Sequence, residues 1–305
     1  MTQSHHPHRT TAPRLSVGII SAGRVGTALG EALLRCGHRV THVVARSDES
    51  STRARLRLAD ARLATVAETA AACELIFIAV PDRSVAEVAS EVALHVGPGK
   101  IVVHTAGSMG RAVLDEVALT GALTIAAHPA MTFAGLSDDA DRLSGCPWGV
   151  TVGDELARTV AELLIGELGG RPVFIDERHR GLYHAAMAHG SNGLGAVVAD
   201  AVEMLAQTIG ASDASTPDFT DAERRRQAAA LLTPLLEASL ENALKWGARG
   251  LTGPVTRDDV ETVVKHEAEI GRAHPGASEA YRSLAARIAH MRGASGVLRH
   301  LKGWE

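Results

Sequence analysis

Residues 15–30 read Leu15-Ser-Val-Gly-Ile-Ile-Ser-Ala-Gly-Arg-Val-Gly-Thr-Ala-Leu-Gly30. The apolar start predicts a buried strand, the glycines predict a tight turn, and the remainder predicts an amphipathic helix. A strand, turn and helix with the pattern G-x-G-x-x-G is typical of dinucleotide binding, with the pyrophosphate at the helix N-terminus. Here the pattern is Ser21-Ala-Gly-Arg-Val-Gly26, with serine at the first glycine position. The sequence therefore predicts a dinucleotide-binding turn with one altered position.

The predicted turn presents backbone N–H groups to a pyrophosphate. Gly23 admits the pyrophosphate and Gly26 admits close packing of the helix on the strand. Ser21 fits at modest cost if its backbone dihedral angles are ordinary there, and its hydroxyl can reach a phosphate. The expected cofactor contacts are Ser21, Ala22, Gly23, Arg24, Val25 and Gly26. The alternative is a strand, turn and helix that bind nothing.

Length and composition indicate an ordinary globular protein. The chain has 305 residues, of which 46% are hydrophobic, 22% charged and 3% aromatic, which predicts a core of Ala, Val, Leu and Ile in two domains. The net charge of −4 gives no basic field of the kind that nucleic acid or an anionic membrane requires. These partners are therefore not expected, and a small ligand must be held by local groups.

The cysteine spacing and the lengths of the apolar runs indicate the cellular compartment of the protein. Cys36, Cys73 and Cys146 are few and far apart, which argues against a disulfide framework or a metal site and favours a reducing compartment. No apolar run reaches the length of about eighteen residues that a membrane span requires, and the N-terminus lacks the apolar core of a signal peptide. We expect a cytoplasmic protein. Residues 1–13 are polar, with three histidines, and predict a disordered tail rather than a weak metal site.

From Leu15 to about Asp176, short runs rich in Val and Ile alternate with helical stretches. Because parallel strands need crossover helices, this alternation predicts a doubly wound α/β domain with a parallel sheet, the Rossmann architecture. The predicted strands cover residues 15–20, 39–46, 63–66, 75–80, 101–104, 123–127, 148–152 and 172–176.

After Asp176 the apolar residues recur every three to four positions, which predicts an all-helical domain. Thr256, followed by Arg-Asp-Asp, is the expected N-cap of one of its helices. The predicted helices cover about 178–209, 220–246, 257–273 and 277–292, with a short helix near the C-terminus. The predicted organisation is a tail at 1–13, a dinucleotide-binding domain at 14–177 and a helical substrate and dimerisation domain at 178–305.

The end of the second predicted strand distinguishes between the two nicotinamide dinucleotides. An acidic residue there would bind the ribose hydroxyls of NAD and repel a 2′-phosphate, whereas this chain has Arg46 and Ser47. A guanidinium and a hydroxyl suit a phosphate ester, so NADP is the expected cofactor. The alternative is that Arg46 is a solvated surface arginine.

Later strands deliver polar residues to the same sheet edge. Ligands of open α/β sheets lie outside the carboxyl ends of the strands, so we expect Val80 and Pro81 to line the cofactor. Residues Thr105 to Ser108 follow the fifth strand and are expected near nicotinamide and substrate, with Ser108 a substrate contact. His104 and His128 end neighbouring strands; each is a possible proton donor or a hydrogen-bonded structural group, and His128 is expected to contact substrate.

Six motifs in order give the chain a family resemblance. It resembles an uncharacterised family of candidate oxidoreductases that pairs a Rossmann-like NADP domain with a C-terminal helical domain of unknown function. It is also similar in design to ketopantoate reductase, pyrroline-5-carboxylate reductase and the β-hydroxyacid dehydrogenases, and the resemblance implies a helical domain arranged as in 6-phosphogluconate dehydrogenase. The motifs are Ile20-Ser-Ala-Gly-Arg-Val-Gly-Thr-Ala, Val80-Pro-Asp, His104-Thr-Ala-Gly, His128-Pro-Ala-Met-Thr-Phe, Tyr183-His-Ala-Ala with Ser191-Asn192, and Leu251-Thr-Gly-Pro-Val-Thr-Arg-Asp-Asp259.

The resemblance implies a lysine and asparagines on the first long helix of the helical domain, with substrate between the domains. This chain has no lysine there. If Asn192 matches an asparagine of the ketopantoate reductase pattern, His184 takes the lysine position and can donate the proton as hydride arrives. His189 is the other histidine on this helix, and at about 100° per residue only one of the two faces the site comfortably with Asn192. The expected catalytic residues are His184, Asn192 and His189.

The resemblance also places a turn of the helical domain at the substrate. Thr252 corresponds to a serine of the ketopantoate reductase relatives, and Arg257 is able to clamp a substrate carboxylate. The alternative for this stretch is a simple turn at Gly253-Pro254, in which Asp258 and Asp259 favour the helix dipole.

Together these features predict an NADP-dependent oxidoreductase that transfers hydride between NADPH and a small anionic oxo acid. The resemblance alone names 2-dehydropantoate as the candidate substrate. The alternatives are an imine reductase of the pyrroline-carboxylate type, a non-catalytic NADP-binding sensor or partner module, which the missing lysine favours, and a structural dimerisation protein without cofactor. The long Ala-rich helices predict a homodimer, and no metal is expected.

Overall fold

A computed structural model describes residues 14–210 and 219–303 of the chain. They form two compact units, of which the first ends at Ala188 and the second begins at His189. The predicted tail at residues 1–13 lies outside the described residues. The change from sheet to helix falls near the predicted boundary at 177, but the division into compact units lies later, inside a long helix that begins in the first unit.

The first unit contains an eight-stranded sheet in the order β3-β2-β1-β4-β5-β6-β7-β8. The first six strands are parallel and follow the 3-2-1-4-5-6 order of a dinucleotide-binding sheet, which confirms the predicted doubly wound architecture. All eight predicted strands are present, with ends shifted by a few residues. They are β1 (Ser16–Ile20), β2 (Arg39–Val44), β3 (Arg62–Leu63), β4 (Leu75–Ile78), β5 (Ile101–His104), β6 (Leu123–Pro129), β7 (Pro147–Val152) and β8 (Arg171–Phe174).

The last two strands correct the prediction of an entirely parallel sheet. β7 pairs antiparallel with β6, and β8 is parallel to β7. The reason lies in the link at 130–146, whose only α-helix is the single turn Asp139–Arg142, so the chain doubles back instead of crossing over. As a result β7 begins at the edge where β6 ends, and Gly149 is paired with His128.

Helices cover both faces of this sheet, because successive residues of a strand face opposite sides. Val17 and Ile19 enter one apolar core, and Ile20 enters the other. The helices are α1 (Arg24–Arg35), α2 (Asp48–Arg57), α3 (Val66–Ala72), α4 (Val85–Ala93), α5 (Asp115–Leu119), α6 (Asp139–Arg142), α7 (Glu155–Glu167) and the long α8 (Arg180–Ala206), which continues into the second unit.

The described part of the second unit is helical, as predicted. Its core is formed by small and branched apolar side chains, including Val255, Val263 and Val297. Besides the end of α8 it contains α9 (Asp221–Trp246), α10 (Val260–Ala273), α11 (Ser278–Arg292) and α12 (Ser295–Lys302). Pro234 lies inside α9.

One predicted helix start is wrong. The N-cap of α10 is Asp259, whose carboxylate accepts the Thr262 N–H at 3.1 Å, and not Thr256. Thr256 lies in a short 3-10 turn and donates its hydroxyl to the Gly253 carbonyl at 2.8 Å. Asp258, which has a left-handed φ of 59°, caps a different helix, since it accepts the N–H groups of Gly296 and Val297 at 3.0 and 2.8 Å. The aspartates therefore bind helix N-termini, as the structural alternative for this motif predicts.

Candidate active site

The predicted nucleotide turn begins at a strained serine. Ser21 has φ of 92°, in the region that favours glycine, so the condition under which serine fits at modest cost is not met. The cause is the sharp turn at the end of β1, where the N–H groups of Ser21 and Ala22 both donate to the Val44 carbonyl, at 3.2 and 3.0 Å. Serine therefore occupies the glycine position of the pattern in the glycine conformation.

Gly26 holds α1 against this turn. A Cβ atom at Gly26 would lie 2.0 Å from the Ser21 carbonyl oxygen, so only glycine permits the observed packing of helix on strand. The first helical hydrogen bond runs from Thr27 N–H to the Gly23 carbonyl at 3.1 Å. The N–H groups of Arg24, Val25 and Gly26 precede that bond and have no intrahelical acceptor, which makes this helix start suitable for an anion.

A cavity of about 520 Å³ opens in front of the turn, at the carboxyl edge of the sheet. It brings together many of the residues predicted from separate motifs. Those that line it are Ser21, Gly23, Arg24, Val25, Val80, Pro81, Thr105 and His128.

A second pocket, of about 340 Å³, lies between the same turn and α2. Arg46 and Ser47 line it, and so do Ser50 and Arg53, which the sequence analysis missed. Arg53 donates to the Ala22 carbonyl at 3.1 Å, while Ser47 is the N-cap of α2 and forms a capping box with Ser50. The spacing of three between residues 47, 50 and 53, which places them on one side of a helix start, was the signal for this set.

The loop that follows β5, residues 105–110, is fixed by His104. The His104 ring is fully buried, accepts the Ala106 N–H at Nδ1 (3.2 Å) and lies 2.8 Å from the Gly110 carbonyl at Nε2, which therefore donates. Ser108, predicted to contact substrate, donates its hydroxyl to Asp82. His104 therefore has the structural role that was one of its two predicted alternatives, and it holds the loop in one shape.

Two histidines lie against that loop, and a tyrosine lies against one of them. His128 on β6 and His184 on α8 meet edge to face, with ring centroids 6.3 Å apart. A Cβ atom on Gly107 would lie 2.7 Å from His184 Cδ2 and 3.1 Å from His128 Nε2, so the loop backbone packs directly on both rings. The Nδ1 atom of His128 is 2.9 Å from the Tyr183 hydroxyl. Nε2 is thus the His128 nitrogen left for a ligand.

Burial acts on the protonation of both strand-end histidines. Burial lowers the pKa of His104 to about 4, although the Gly110 carbonyl opposes the shift. Burial, the neighbouring His184 and the Arg180 charge lower the pKa of His128 to about 4. Both rings are therefore neutral at pH 7.

Arg180 lies next to the Tyr183 ring, and its hydrogen-bond partners are all neutral. Its side chain is 2% exposed, donates Nε to the Thr151 hydroxyl at 2.7 Å, and donates Nη2 to the carbonyls of Ala126 and Gly149, each at 3.1 Å. Nη1 has no hydrogen-bond partner among the described residues. The guanidinium carbon is 5.5 Å from the centroid of the Tyr183 ring.

Gly149 makes room for Tyr183. A Cβ atom there would lie 2.5 Å from the Tyr183 hydroxyl oxygen. Because β7 runs antiparallel to β6, this glycine lies beside His128, and the tyrosine fits over it.

The remaining predicted site residues lie in the second unit. His189 and Asn192 are exposed on α8, and Thr252 and Arg257 are exposed near the turn at Gly253. Their catalytic and substrate-binding roles stay predictions.

The sequence analysis gave no role to Tyr183, Gly107, Gly149 or Arg180. A glycine within a strand, as at Gly149, often marks close approach of another group, and that signal was available. No comparable signal marks Arg180, because arginine near a helix start is usually solvated.

Two family models match the chain. A Rossmann-like domain covers residues 1–129, and a domain of unknown function, DUF2520, covers residues 146–288. The chain joins a Rossmann-like domain to a DUF2520 domain. This is the pairing that the sequence resemblance predicted. Comparison with curated proteins gave no match.

Solved structures share the fold of this Rossmann-like and DUF2520 chain at low sequence identity. A candidate NADP oxidoreductase from Bacteroides fragilis is 20% identical, with a TM-score of 0.74 over 91% of this chain and 98% of that one. A reductive aminase from Aspergillus terreus, in complex with NADPH, is 19% identical, with a TM-score of 0.64 over 93% and 96% of the two chains. Pyrroline carboxylate reductase from Plasmodium falciparum, with NADP bound, is 12% identical, with a TM-score of 0.56 over 91% and 98%. The chain therefore has the same fold as these three solved structures.

Residues 14–210 and 219–303 contain neither a candidate metal centre nor a helix that could cross a membrane. No group of three or more His, Cys, Asp or Glu side chains in these ranges is arranged to hold a metal ion. None of their helices combines the length and apolar character that crossing a membrane requires.

Proposed function

We propose that this protein is an NADP-dependent reductase that acts on a C=O or C=N bond of a small molecule. The observation that carries the proposal is that the nucleotide turn and His128 line the same cavity. The fold shared with an NADP oxidoreductase, a reductive aminase and a pyrroline carboxylate reductase supports it.

The residues present fit the dinucleotide. The N–H groups of Arg24, Val25 and Gly26 would hold the pyrophosphate, and the absence of a Cβ atom at Gly26 keeps the helix start close to β1. Arg46 and Arg53, which line the second pocket, would bind the 2′-phosphate that distinguishes NADP from NAD.

Bound NADPH supplies a hydride to the carbon of the substrate double bond. The chain must then provide a proton to the oxygen or nitrogen, and the two histidines packed on Gly107 are the proposed donors. His184 is the donor that the sequence predicts, and His128 is the one that lines the cavity.

The substrate is a small oxo acid or a neutral imine. The predicted 2-dehydropantoate remains one candidate, and the imine class has the support of the reductive aminase and the pyrroline carboxylate reductase folds. Ser108, Thr252 and Arg257 remain proposed substrate contacts.

The test is NADPH oxidation, followed by absorbance, with a panel that contains 2-dehydropantoate, other 2-oxo acids and pyrroline-5-carboxylate. We expect turnover with at least one member and tighter binding of NADPH than of NADH, with the preference lost in Arg46→Ala combined with Arg53→Ala. Tight NADPH binding without oxidation across the panel would instead establish a non-catalytic NADP-binding module. No change of NADPH fluorescence on mixing would leave a structural protein without cofactor.

We also propose that the chain forms a homodimer through α8 and α9. Seven consecutive residues of α8, 191–197, are exposed, and they include Leu194 and Val197. On α9, Leu231 and Leu235 form one exposed apolar pair and Leu240 and Leu244 form another; at about 100° per residue the two pairs lie on opposite sides of the helix. Such a surface is typical of a subunit interface.

Light scattering after size exclusion tests the dimer. Leu235 is 65% exposed, and Leu235→Glu should convert the dimer to monomer. Leu119→Glu, at an 88% exposed leucine of α5, is the matched control and should leave the mass unchanged. A wild-type monomer at micromolar concentration would refute this proposal.

A further inference from the structure

The buried charge of Arg180 requires an explanation beyond packing. A fully buried cation whose hydrogen-bond partners are neutral is costly, since most buried charges are paired with an opposite charge. Glu177 is the carboxylate whose field reaches it, but its two oxygens already accept the N–H groups of Arg111 and Ala112. The Arg180 guanidinium therefore lacks a dedicated anion.

The aromatic ring over this guanidinium belongs to a side chain that can become an anion. The Tyr183 ring centroid is 5.5 Å from the guanidinium carbon, and the Tyr183 hydroxyl is 2.9 Å from His128 Nδ1. His128 in turn lines the cavity in which the substrate is proposed to bind. The three side chains thus form a continuous path from the cavity to a buried positive charge.

We propose that His128 is the catalytic proton donor and that Tyr183 and Arg180 act behind it as a proton relay. In the resting state Tyr183 donates its hydroxyl hydrogen to His128 Nδ1, and His128 carries its own proton on Nε2. This inference rests on the proposed reductase function and deepens it.

The step balances without a charged imidazole. As hydride reaches the substrate carbon, the His128 Nε2–H bond breaks and the proton joins the substrate oxygen or nitrogen. At the same time the Tyr183 O–H bond breaks and its proton joins Nδ1, so the ring stays neutral. The double bond has gained one hydride and one proton, and the tyrosinate left behind is the anion that Arg180 lacks. A proton from solvent then joins His128 Nε2 while the Nδ1 proton returns to the Tyr183 oxygen, which restores the resting state.

The relay agrees with the state of the His128 ring. Burial, His184 and Arg180 all lower the pKa of His128, Asp82 raises it, and the net value is about 4. An imidazolium donor would be scarce at pH 7, whereas a neutral ring that gives one proton and receives another is fully populated. The uncompensated positive charge also disfavours a cationic iminium, so the relay selects carbonyls and neutral imines.

The chain contains a matched control for this experiment. Tyr281 in the second unit also bonds a histidine, with 3.0 Å between its hydroxyl and His266 Nδ1, and the chain has only these two tyrosines. Tyr281→Phe and Tyr183→Phe therefore remove the same atom from two similar pairs. Tyr183→Phe removes no packed carbon, so it is expected to fold.

Two readouts need neither cofactor nor substrate. In ¹⁵N-histidine NMR spectra at pH 7, with His128 assigned by its loss in His128→Gln, we expect the Nε2–H tautomer alone. Tyr183→Phe should shift the Nδ1 signal and mix the tautomers, and Tyr281→Phe should leave the signal in place.

In the Tyr281→Phe background Tyr183 is the single tyrosine, and Arg180→Met should raise the midpoint of the absorbance titration of Tyr183 by at least about one pH unit. Arg180→Lys, which keeps the charge, should shift it less and serves if Arg180→Met does not fold.

Turnover supplies the third readout. With any substrate that the panel identifies, Tyr183→Phe should lower kcat about 100-fold with KM changed about twofold or less, and Tyr281→Phe should keep both values. Equal kcat in wild type and Tyr183→Phe would overturn the relay while the reductase function stands. An Nδ1–H tautomer of His128, or a Tyr183 titration unmoved by Arg180→Met, would overturn it as well. Failure of wild type on the entire panel would overturn the reductase function instead.

Discussion

The two tyrosine–histidine pairs of this protein have nearly the same geometry and very different surroundings. Their ring centroids are 5.7 Å apart in Tyr183–His128 and 6.0 Å apart in Tyr281–His266, and both histidines bond through Nδ1. Burial raises the pKa of both tyrosines. The neighbouring charge, however, is Arg180 for Tyr183 and Glu267 for Tyr281, and it lowers the first pKa and raises the second.

A tyrosine–histidine hydrogen bond therefore does not by itself define a proton path. His266 is exposed, and Glu267 opposes loss of a proton from Tyr281. His128 lines a cavity, and a buried cation favours loss of a proton from Tyr183. The surrounding electrostatics and the access to a ligand therefore distinguish a chemical pair from a structural one.

The largest effect is expected where both histidines meet the β5 loop. Gly107→Ala would place a methyl group 2.7 Å from His184 Cδ2 and 3.1 Å from His128, which must move apart. Because misplacement by about 1 Å costs about 100-fold and two rings are displaced here, we expect kcat to fall about 1000-fold. NADPH affinity should hold, and Gly97→Ala, whose added carbon has its nearest neighbour at 4.0 Å, should keep full activity. Normal turnover in Gly107→Ala would remove these histidines from the site.

A somewhat smaller effect on kcat is expected from breaking the Tyr183–His128 hydrogen bond alone. Gly149→Ala would place a carbon 2.5 Å from the Tyr183 hydroxyl and displace it from His128. We expect kcat to fall about 100-fold, as in Tyr183→Phe. Gly181→Ala on α8, where the added carbon has no neighbour within 4 Å, is the control. A double variant with Tyr183→Phe should be no slower than either single variant, and additive losses would show that Gly149 acts by another route.

Acid is expected to lower the stability of the first unit through His104, the buried histidine that fixes the loop after β5. The pKa of His104 is about 4 in the folded chain and about 6.5 when unfolded, so the unfolded state binds more protons between these values and stability falls as the pH falls. From pH 7 to pH 5 this costs about 2 kcal/mol. His104→Gln should be less stable at pH 7 but lose about 2 kcal/mol less on acidification, measured by hydrogen exchange of β5 and β6 amides. Parallel pH profiles of the variant and wild type would contradict this.

The smallest effect concerns the nucleotide turn, which lies apart from both pairs. Ser21→Gly relieves a side chain at φ of 92° and should stabilise the first unit by about 1 kcal/mol in urea unfolding. Ser137→Gly, at a serine without positive φ, should give no such gain. The His128 tautomer should be the same in Ser21→Gly as in wild type. A changed tautomer would mean that the turn and the pair are coupled.

The parts of the fold that local patterns specify were predicted correctly. Runs such as Leu75–Ile78 are continuous and apolar, so the strands and their parallel crossovers could be read from the sequence. The direction of β7 could not, because its pattern of burial is the same in either direction. The start of α10 was displaced because Thr256 and Asp259 both suit an N-cap, and only tertiary packing distinguishes them.

Most of the residues that line the two pockets at the nucleotide turn were named from the sequence, whereas Tyr183 and Arg180 behind His128 were given no role. The turn, Arg46 and Val80–Pro81 follow from short motifs whose neighbours in sequence are neighbours in space. The proposed path from His128 through Tyr183 to Arg180 joins β6 to α8 across more than fifty residues, since His128 and Tyr183 are 55 residues apart in sequence. Sequence alone gives no sign of which buried groups meet over such a distance.

The antiparallel pairing of β7 against β6 also places the site in the order of folding events. Arg180 bonds Ala126 on β6 and Gly149 on β7, which lie 54 and 31 residues before it in the chain. Ala126 and Gly149 must both come close to Arg180 before its guanidinium can lose its hydration, and forming contacts between residues so far apart in sequence is slow. A refolding chain would therefore acquire its nucleotide turn early, from residues close in sequence, and its proton path among the last native contacts.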